Sequence, residues 1–266
     1  MREAEHSRTA LLVAALRSRA NSDDPWAARF AGVEGEALAD RLLADNPHMA
    51  LWLGVRTAFI DQCVRRLARP QVVILGAGFD SRAARLASPG VRFFEVDAPA
   101  SQAAKRAGIQ ALDGYPVGAA EYVACDFEHE DFFDRLVACG FDPEVPSLFV
   151  WEGVAYYLPE AAVRATFDRV LSCHPDTLVV FDMITRRLVE ASHDPKHAQR
   201  LGLFSEVGEP LRFGLDDPLP FLHDCGFRFV QTSRFDELCL NLQGTFDAGR
   251  RFEFQTMTLA GSRNPW

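Results

Sequence analysis

Residues 71–82, QVVILGAGFDSR, decide the fold of this chain of 266 residues. Pro70 disfavours a helical conformation at the residue before it, and the apolar, β-branched run VVIL that follows has no polar alternation. A run of this kind is typical of a strand that is buried on both faces of a parallel sheet. Gly76 and Gly78 then allow a tight turn and a close approach of the backbone to a ligand. The stretch therefore predicts a buried strand that leads through a glycine turn into a helix.

Strand and helix patterns alternate along the chain after this stretch. Four further strands are predicted at 91–96, 121–125, 146–151 and 177–184, and helices at 81–86, 100–112, 132–139 and 160–171. Two more strands are predicted at 227–232 and 251–259, after a short helix at 221–225. Alternating elements with helix-length connections imply parallel strands joined by right-handed crossovers. We therefore expect an α/β fold with a doubly wound, mostly parallel sheet of seven strands.

A single domain is expected over residues 1–266. Its parts are a helical cap at 1–68, a cofactor-binding core at 69–185, an insertion at 186–220, and a helix with strands at 221–266. The insertion is polar, contains four prolines and follows the fifth strand. It would therefore lie near the carboxyl ends of the strands, where open α/β sheets bind their ligands. We interpret it as a lid.

The composition is that of a globular protein, with 48% hydrophobic and 24% charged residues. The formal net charge of −9 makes nucleic acids and anionic membranes unfavourable partners. No segment approaches the ~20 apolar residues that span a bilayer, and the apolar run near the N-terminus ends at Arg17 without a cleavage site. We expect a cytoplasmic protein. The six cysteines are widely spaced without a C-x-x-C pair, which favours buried thiols over zinc ligands.

An acidic residue follows the glycine turn at the distance that nucleoside-binding folds use. Asp97 ends the second predicted strand, 19 residues after Gly78. In doubly wound folds, an acid about 20 residues beyond the glycines accepts hydrogen bonds from ribose hydroxyls. This spacing suits both NAD(H) and S-adenosylmethionine, and it disfavours the 2′-phosphate of NADP because like charges repel.

Charges near the turn favour the sulfonium cofactor. The third glycine of a dinucleotide-binding turn is replaced by Ser81, and Asp80 places a negative charge where a pyrophosphate would lie. Asp126 and Glu152 add acids after the third and fourth strands. A sulfonium and an ammonium group are cations, so an acidic site suits S-adenosyl-L-methionine better than a dinucleotide.

Four motifs in the same order resemble the leucine carboxyl methyltransferase family of class I S-adenosylmethionine-dependent methyltransferases. They are QVVILGAGFDSR, FFEVDAPASQAAKR, VACDFE and FVWEGVAYYL. The chain is most similar to the bacterial branch that includes polyketide O-methyltransferases of the tetracenomycin type. The resemblance implies a Rossmann-like methyltransferase sheet and an O-methyltransferase of secondary metabolism, with a small-molecule acceptor such as a polyketide. It leaves the oligomeric state open.

The resemblance also implies roles for individual residues. In the family, the position of Arg56 binds the methionine carboxylate, and the position of Glu152 lies near the methionine moiety. The other cofactor-binding positions of the family correspond to Gly76 and Gly78 in the turn, to Asp97, whose carboxylate binds the ribose hydroxyls, and to Asp126 and Phe127, which flank the adenine. Asp80 and Arg82 are expected to brace one another. The N-terminal lysine of the phosphatase-modifying members has only Arg8 as a weak counterpart, which disfavours a protein tail as substrate.

The acceptor chemistry decides whether a base is needed. A carboxylate is already ionised at neutral pH, whereas a phenol or alcohol needs a base or a lowered pKa. Tyr156, Tyr157 and His193 are the predicted catalytic residues for the second case. His193 and His197 also have metal-ligand spacing, but Pro195 separates them and no third ligand is evident, so no metal is expected. A non-catalytic S-adenosylmethionine-binding protein and an NAD-dependent oxidoreductase are the alternatives.

Overall fold

A computed structural model describes residues 8–20, 23–127, 129–194, 210–244 and 253–266 of the chain. These residues form seven strands and ten helices. The strands are β1 (Gln71–Leu75), β2 (Arg92–Asp97), β3 (Glu121–Ala124), β4 (Ser147–Trp151), β5 (Leu178–Ile184), β6 (Phe229–Arg234) and β7 (Gln255–Gly261). The first five helices are α1 (Arg8–Arg19), α2 (Ala27–Asp45), α3 (Met49–Leu67), α4 (Arg82–Arg85) and α5 (Pro99–Gln110). The others are α6 (Phe132–Ala138), α7 (Glu160–Leu171), α8 (Arg186–His193), α9 (Pro218–Cys225) and α10 (Phe235–Gln243). A 3-10 turn (Ala155–Tyr157) follows β4.

The seven strands make one sheet in the order β3-β2-β1-β4-β5-β7-β6. Strands β1 to β5 are parallel, and β7 is antiparallel to both β5 and β6. The predicted doubly wound, mostly parallel sheet of seven strands is therefore confirmed. The chain leaves β1 toward β2 on one side and returns to β4 on the other. Ligands bind at such a switch point, beyond the carboxyl ends of the strands.

Side-chain alternation in the strands divides the core into two layers. In β1, Val72 and Ile74 pack with the N-terminal helices and α10, whereas Val73 and Leu75 pack with α6, α7 and α9. Burial on both faces explains the uninterrupted apolar run, because neither face of this strand meets water. The predicted N-terminal helices are confirmed as α1 to α3, and α2 is broken at Gly32, whose φ is +58°.

The C-terminal region departs from the sequence-based prediction in two ways. Helix α10 was not predicted, although Gly244 ends it and the Glu237 carboxylate accepts a hydrogen bond from the Arg234 amide at its start. Strand β7 was predicted from alternating Phe and Thr residues, but Thr258 is as fully buried as Met257. The reason is that both faces of β7 are buried: Met257 and Leu259 pack in one layer of the core and Ala260 in the other.

The predicted lid region contains both helical and buried segments. Its first residues form α8, and residues 195–209 lie outside the described part of the chain. Phe213 and Leu215 are buried in the core, and α9 begins at Pro218. The lid itself stays a prediction. Over the described ranges, none of the helices has the length and apolar content needed to cross a bilayer.

Candidate cofactor site

The glycine turn after β1 admits no side chain at its first position. Gly76 has a φ of +66°, and a Cβ there would come within 2.5 Å of the Val154 side chain. Gly78 has a φ of +47°, and its Cβ would lie 3.2 Å from Ala10 in α1. The Gly76 amide donates to the Val96 carbonyl at 2.8 Å, which fixes the turn against β2. Both glycines are therefore needed for backbone conformation, and the first also for space.

The Asp97 carboxylate faces this turn directly. One oxygen accepts from the Gly78 amide at 2.5 Å and the other from the Ala98 amide at 2.7 Å. Burial raises the pKa of Asp97, while the two backbone amides act in the opposite direction. Each carboxylate oxygen has a second lone pair, so Asp97 can still accept hydrogen bonds from a ligand. The structure thus brings together the turn and the acid that the sequence spacing predicted to meet.

Asp126 and Phe127 lie beside Asp97, beyond the end of β3. The Cys125 amide donates to the Asp97 carbonyl at 2.9 Å, which joins the two strand ends. One Asp126 oxygen lies 2.9 Å from Nδ1 of His129, and the Phe127 residue is 40% exposed. An exposed ring and a carboxylate at this edge match the chemistry of a planar base with an exocyclic amine.

Arg56 reaches the same edge from α3 and is buried. Its Nη1 lies 2.8 Å from Asp182 in β5, and its Nη2 lies 2.8 Å from Glu152. The Gly153 amide also donates to Asp182, at 2.6 Å. Burial raises the pKa of Asp182, although Arg56 and this amide favour its charged form. Burial would also raise the pKa of Glu152, but the facing arginines hold it well below its usual range.

Glu152 and Arg56 belong to a larger cluster of buried charges, here called the buried ion network. Arg82 is fully buried and contacts Asp61 at 2.7 Å, Glu152 at 2.5 Å and also Asp80, so the predicted Asp80–Arg82 brace is confirmed. The network consists of Arg17, Asp24, Arg56, Asp61, Asp80, Arg82, Arg85, Glu95, Lys105, Glu152 and Asp182. With Asp97, seven carboxylates stand against five cations, so the region has excess negative charge.

Several network members were missed by sequence reasoning. Asp182 interrupts the apolar run of β5, and a charge in a strand buried along its whole length is a signal that could have found it. Lys105, one of two lysines in the chain, is 1% exposed and donates to Glu95 at 2.5 Å and to the Asp80 carbonyl. Burial raises the pKa of Glu95 to about 7 against the effect of Lys105.

Arg8, the weak counterpart of the family's lysine, pairs instead with exposed Glu34 at 2.9 Å.

The three predicted catalytic residues lie in different environments. Tyr156 is buried, and burial together with nearby Asp182 raises its pKa well above the usual value. Tyr157 is partly exposed, with its ring centroid 4.7 Å from that of Tyr156. His193 is exposed at the end of α8, with Nε2 3.0 Å from the Leu211 carbonyl. Their catalytic roles stay predictions, and His197 lies outside the described residues.

Residues 8–171 match the family model described as leucine carboxyl methyltransferase. The chain belongs to the leucine carboxyl methyltransferase family. Its cofactor is therefore S-adenosyl-L-methionine, as the names of its relatives also state. The residues present fit this cofactor, because the acid-rich edge, the Asp97 carboxylate and the two glycines of the turn suit a cationic nucleoside ligand.

Relatives of this methyltransferase occur in mycobacteria. A protein of Mycobacteroides abscessus, provisionally named an S-adenosyl-L-methionine-dependent methyltransferase, is 36% identical over 181 residues. That match covers 62% of this chain and 58% of the relative, less than two thirds of its length. A Mycobacterium avium protein with the same provisional name is 33% identical over 224 residues, 77% of this chain and 74% of the relative.

Solved structures share the fold of the methyltransferase at low sequence identity. A protein of Thermobifida fusca, provisionally named a methyltransferase, superposes with a TM-score of 0.61 at 14% identity and covers 97% of this chain and 96% of its own. A DUF574 family protein of Streptomyces avermitilis superposes with a TM-score of 0.60 at 13% identity, and the match covers 98% of this chain and 99% of that protein. At these identities the comparison supports the fold alone.

Acid should remove the stabilising effect of Glu152 in the methyltransferase. The folded-state pKa of Glu152 lies below its usual value of 4.5, so its contribution to stability is present above that pH and is lost as the pH falls. Glu152→Gln should therefore have a lower free energy of unfolding than the wild type near pH 7, and the difference between the two proteins should become smaller below pH 4.5. Urea unfolding at several pH values measures the gap. Glu160→Gln, at an exposed ion pair, is the control with a small difference throughout. A gap for Glu152→Gln that stays constant with pH would contradict the effect of the arginines.

Proposed function

We propose that this methyltransferase transfers the methyl group of S-adenosyl-L-methionine to an oxygen of a small molecule, and that the acceptor oxygen belongs to a carboxylate. The observation that carries the proposal is the acid-rich carboxyl edge of the sheet, where Asp97 faces the glycine turn beside the buried ion network. The leucine carboxyl methyltransferase family to which the chain belongs supports a carboxylate acceptor.

The proposed cofactor contacts follow from the positions of the side chains. Arg56 would bind the methionine carboxylate, because a guanidinium can donate two parallel hydrogen bonds to it. Asp97 would accept from the ribose hydroxyls. Asp126 and Phe127 would contact the adenine, the first through its amine and the second through its ring. Glu152 would hold Arg56 in place from 2.8 Å.

Charge supports the sulfonium cofactor over a dinucleotide. The carboxylates of the buried ion network and Asp97 outnumber the cations, and the cofactor carries one net positive charge at its sulfonium. A pyrophosphate would add negative charge beside Asp80, which is already buried and ionised. Burial would raise the pKa of Asp80, but Arg82 and Arg17 lower it below the usual value.

The bound cofactor supplies an electrophilic methyl group, and the protein contributes position and exclusion of water. An acceptor oxygen held in line with the carbon–sulfur bond gains the advantage of an intramolecular reaction, about 7–11 kcal/mol of the barrier in favourable cases. A carboxylate acceptor is already ionised. Among the described residues, buried Tyr156 has a pKa raised well above its usual value and cannot accept a proton near neutral pH. Tyr156 is therefore unsuited to act as a base.

A polyketide-like acid of secondary metabolism is the finer proposal for the acceptor. Its support is the sequence resemblance to polyketide O-methyltransferases and the poor match of Arg8 to the lysine of the phosphatase-modifying members. Tyr157 and His193 would then contact the acceptor rather than remove its proton, and residues 186–220 would cover it as a lid.

Titration calorimetry with S-adenosylmethionine, S-adenosylhomocysteine and NAD is the first test. We expect micromolar binding of the first two ligands and none of NAD. Binding of NAD alone would support an oxidoreductase and contradict the proposal. Acceptors are then screened as pairs of an acid and a phenol of similar skeleton, with a radiolabelled methyl group.

Alkali treatment distinguishes the two acceptor oxygens. A methyl ester releases labelled methanol in base, whereas a methyl phenyl ether does not. We expect alkali-labile product from the acids. Stable product from the phenols alone would contradict the carboxylate acceptor, and cofactor binding without any turnover would favour the non-catalytic binding protein. The acceptor screen uses wild-type protein. Asp97→Ala, which lacks the carboxylate proposed to bind the ribose hydroxyls, serves as the control.

A further inference from the structure

Helix α1 crosses the glycine turn of the cofactor site. A Cβ at Gly78 would lie 3.2 Å from the Cβ of Ala10 in α1, so the helix and the turn are nearly in contact there. Further along the helix, Nη1 of Arg17 donates to the carbonyl of Phe79, the residue after Gly78, at 3.3 Å. Ala10 and Arg17 are seven residues apart in the chain and therefore lie on one face of α1. That face borders the turn.

Arg17 is a charged residue in a helix whose other buried residues are leucine and alanine. Its side chain is only 5% exposed, and burial of a guanidinium costs free energy unless nearby groups compensate its charge. Two carboxylates do so, because Nη2 lies 3.8 Å from Oε1 of Glu152 and Nη1 lies 3.9 Å from Oδ2 of Asp24. The same Glu152 oxygen lies 2.8 Å from Nη2 of Arg56. Arg17 thus reaches the carboxylate that pairs with Arg56.

Asp24 gives Arg17 a fixed partner in the connection between α1 and α2. One carboxylate oxygen of Asp24 accepts from the amides of Trp26 and Ala27, both at 3.1 Å. The other accepts from the Ser81 hydroxyl, directly before α4, at 2.5 Å. Asp24 is therefore held both by the start of α2 and by a residue just beyond the glycine turn. These contacts fix the frame in which Arg17 anchors α1.

Arg17 joins the two ends of the proposed cofactor site. Its contact with Glu152 lies at the end assigned to the methionine moiety. Its hydrogen bond to the Phe79 carbonyl lies one residue from Gly78, whose amide donates to Asp97 at the ribose end. One side chain therefore anchors α1 to both ends of the site. A ligand bound against the turn has this helix as its neighbour.

We propose that α1 forms a wall of the cofactor site and that Arg17 is a positioning residue, which holds this wall against the turn and Glu152 and so slows release of the spent cofactor. The inference rests on the proposed function, because it places the cofactor against the glycine turn. Arg17 acts through α1 and needs no contact with the cofactor. A ligand behind an anchored helix leaves only when the anchor opens, so the effect falls on the dissociation rate.

Release of S-adenosylhomocysteine tests this without knowledge of the acceptor. The full chain is loaded with radiolabelled S-adenosylhomocysteine and mixed with an excess of unlabelled ligand, and the bound label is followed with time. Arg17→Met, which keeps much of the side-chain volume, should release the label about tenfold faster or more, as expected for loss of a hydrogen bond from a charged group. Its association rate should stay within about threefold of the wild type, because the groups proposed to contact the cofactor are intact.

Arg19→Met is the control for a change on the same helix. Arg19 pairs with Glu36 at 2.5 Å and with Asp40 at 2.7 Å, both in α2, and its side chain is 27% exposed. The substitution removes ion pairs of α1 and leaves the contacts of Arg17 in place. Arg19→Met should therefore release the label within about threefold of the wild-type rate.

Arg85→Met is the control for loss of a buried charge. The Arg85 side chain is 4% exposed, and it contacts Asp61 at 2.6 Å, the Ser81 hydroxyl at 2.9 Å and Asp24 at 3.7 Å. This variant should lose stability in urea as Arg17→Met does, yet it should release the label within about threefold of the wild-type rate. A merely structural role of Arg17 predicts the same release rate for the two variants.

Hydrogen exchange locates the wall. In the wild type, saturating S-adenosylhomocysteine should slow exchange of the amides of residues 12–16 in α1 about fivefold or more, together with those of residues 76–78 in the turn. In Arg17→Met the slowing at residues 76–78 should remain, and the slowing at residues 12–16 should disappear.

The outcomes separate this inference from the proposed function. Wild-type protein that shows slowed exchange at residues 76–78 but not at 12–16 would overturn the wall and leave the cofactor site supported. Release from Arg17→Met at the rate of the wild type or of Arg85→Met would overturn the role of Arg17. Wild-type protein that does not bind S-adenosylhomocysteine, or binds it without slowed exchange at residues 76–78, would overturn both proposals. If Arg17→Met does not fold, Arg17→Gln, which is shorter and uncharged, takes its place with the same expected release.

Discussion

Arg82→Met should lower the free energy of unfolding of the methyltransferase by about 3–5 kcal/mol, the cost of leaving buried charges without their partner. Arg82 is fully buried and contacts three carboxylates, those of Asp61, Asp80 and Glu152. Methionine keeps much of the volume of the side chain, so the loss reports charge and hydrogen bonding rather than a cavity. Urea unfolding near neutral pH measures it.

Arg8→Met is the matched control for this variant. Arg8 also pairs with a carboxylate, Glu34 at 2.9 Å, but both side chains are about half exposed, at 42% and 53%. Exposed pairs contribute about 0–1 kcal/mol, so this variant should unfold almost like the wild type. A loss below about 1 kcal/mol in Arg82→Met would show that the buried ion network contributes little to stability.

Asp97→Ala should weaken binding of S-adenosylhomocysteine by about a hundredfold or more. Two hydrogen bonds from ribose hydroxyls to a carboxylate contribute about 1.5–3 kcal/mol each. The substitution also removes the acceptor for the Gly78 amide at 2.5 Å, which loosens the glycine turn. Calorimetry on folded protein measures the dissociation constant.

Asp126→Asn is the control at the adenine end of the same edge. The Asp126 side chain is 40% exposed, so water weakens the interactions of its carboxylate. The loss of affinity for S-adenosylhomocysteine should therefore be clearly smaller than in Asp97→Ala. Unchanged affinity in Asp97→Ala would mean that the ribose lies elsewhere. Equal losses in the two variants would contradict a special role for the acid that faces the turn.

The sequence was sufficient to predict the sheet because local patterns encode it. The uninterrupted apolar run of β1 reflects burial on both faces, and the glycines of the following turn are required by their positive φ angles. The spacing from Gly78 to Asp97 likewise follows from one strand, one crossover and the next strand. Such short-range geometry repeats in every fold of this class, so a single sequence can indicate it.

The buried ion network could not be predicted from local patterns. Arg56 meets Asp182 across 126 residues, and Arg82 meets Glu152 across 70 residues. Only the three-dimensional fold brings such partners together. Helix α10 was missed for a related reason: it has nine residues, and its stability comes from packing of Phe235 and Leu238 on α3 and the sheet rather than from its own pattern.

The position of β7 in the sheet has a consequence for synthesis of the protein. Among the described strands it comes last in sequence order, yet it lies between β5 and β6 in the sheet. Until the ribosome has released residues 255–261, the nascent chain exposes the unpaired edge of β5, whose seven residues are all buried in the finished protein. An exposed apolar strand edge is a template for aggregation. During synthesis this edge of β5 therefore stays unpaired until residues 255–261 have emerged, and over that interval it is open to incorrect pairing.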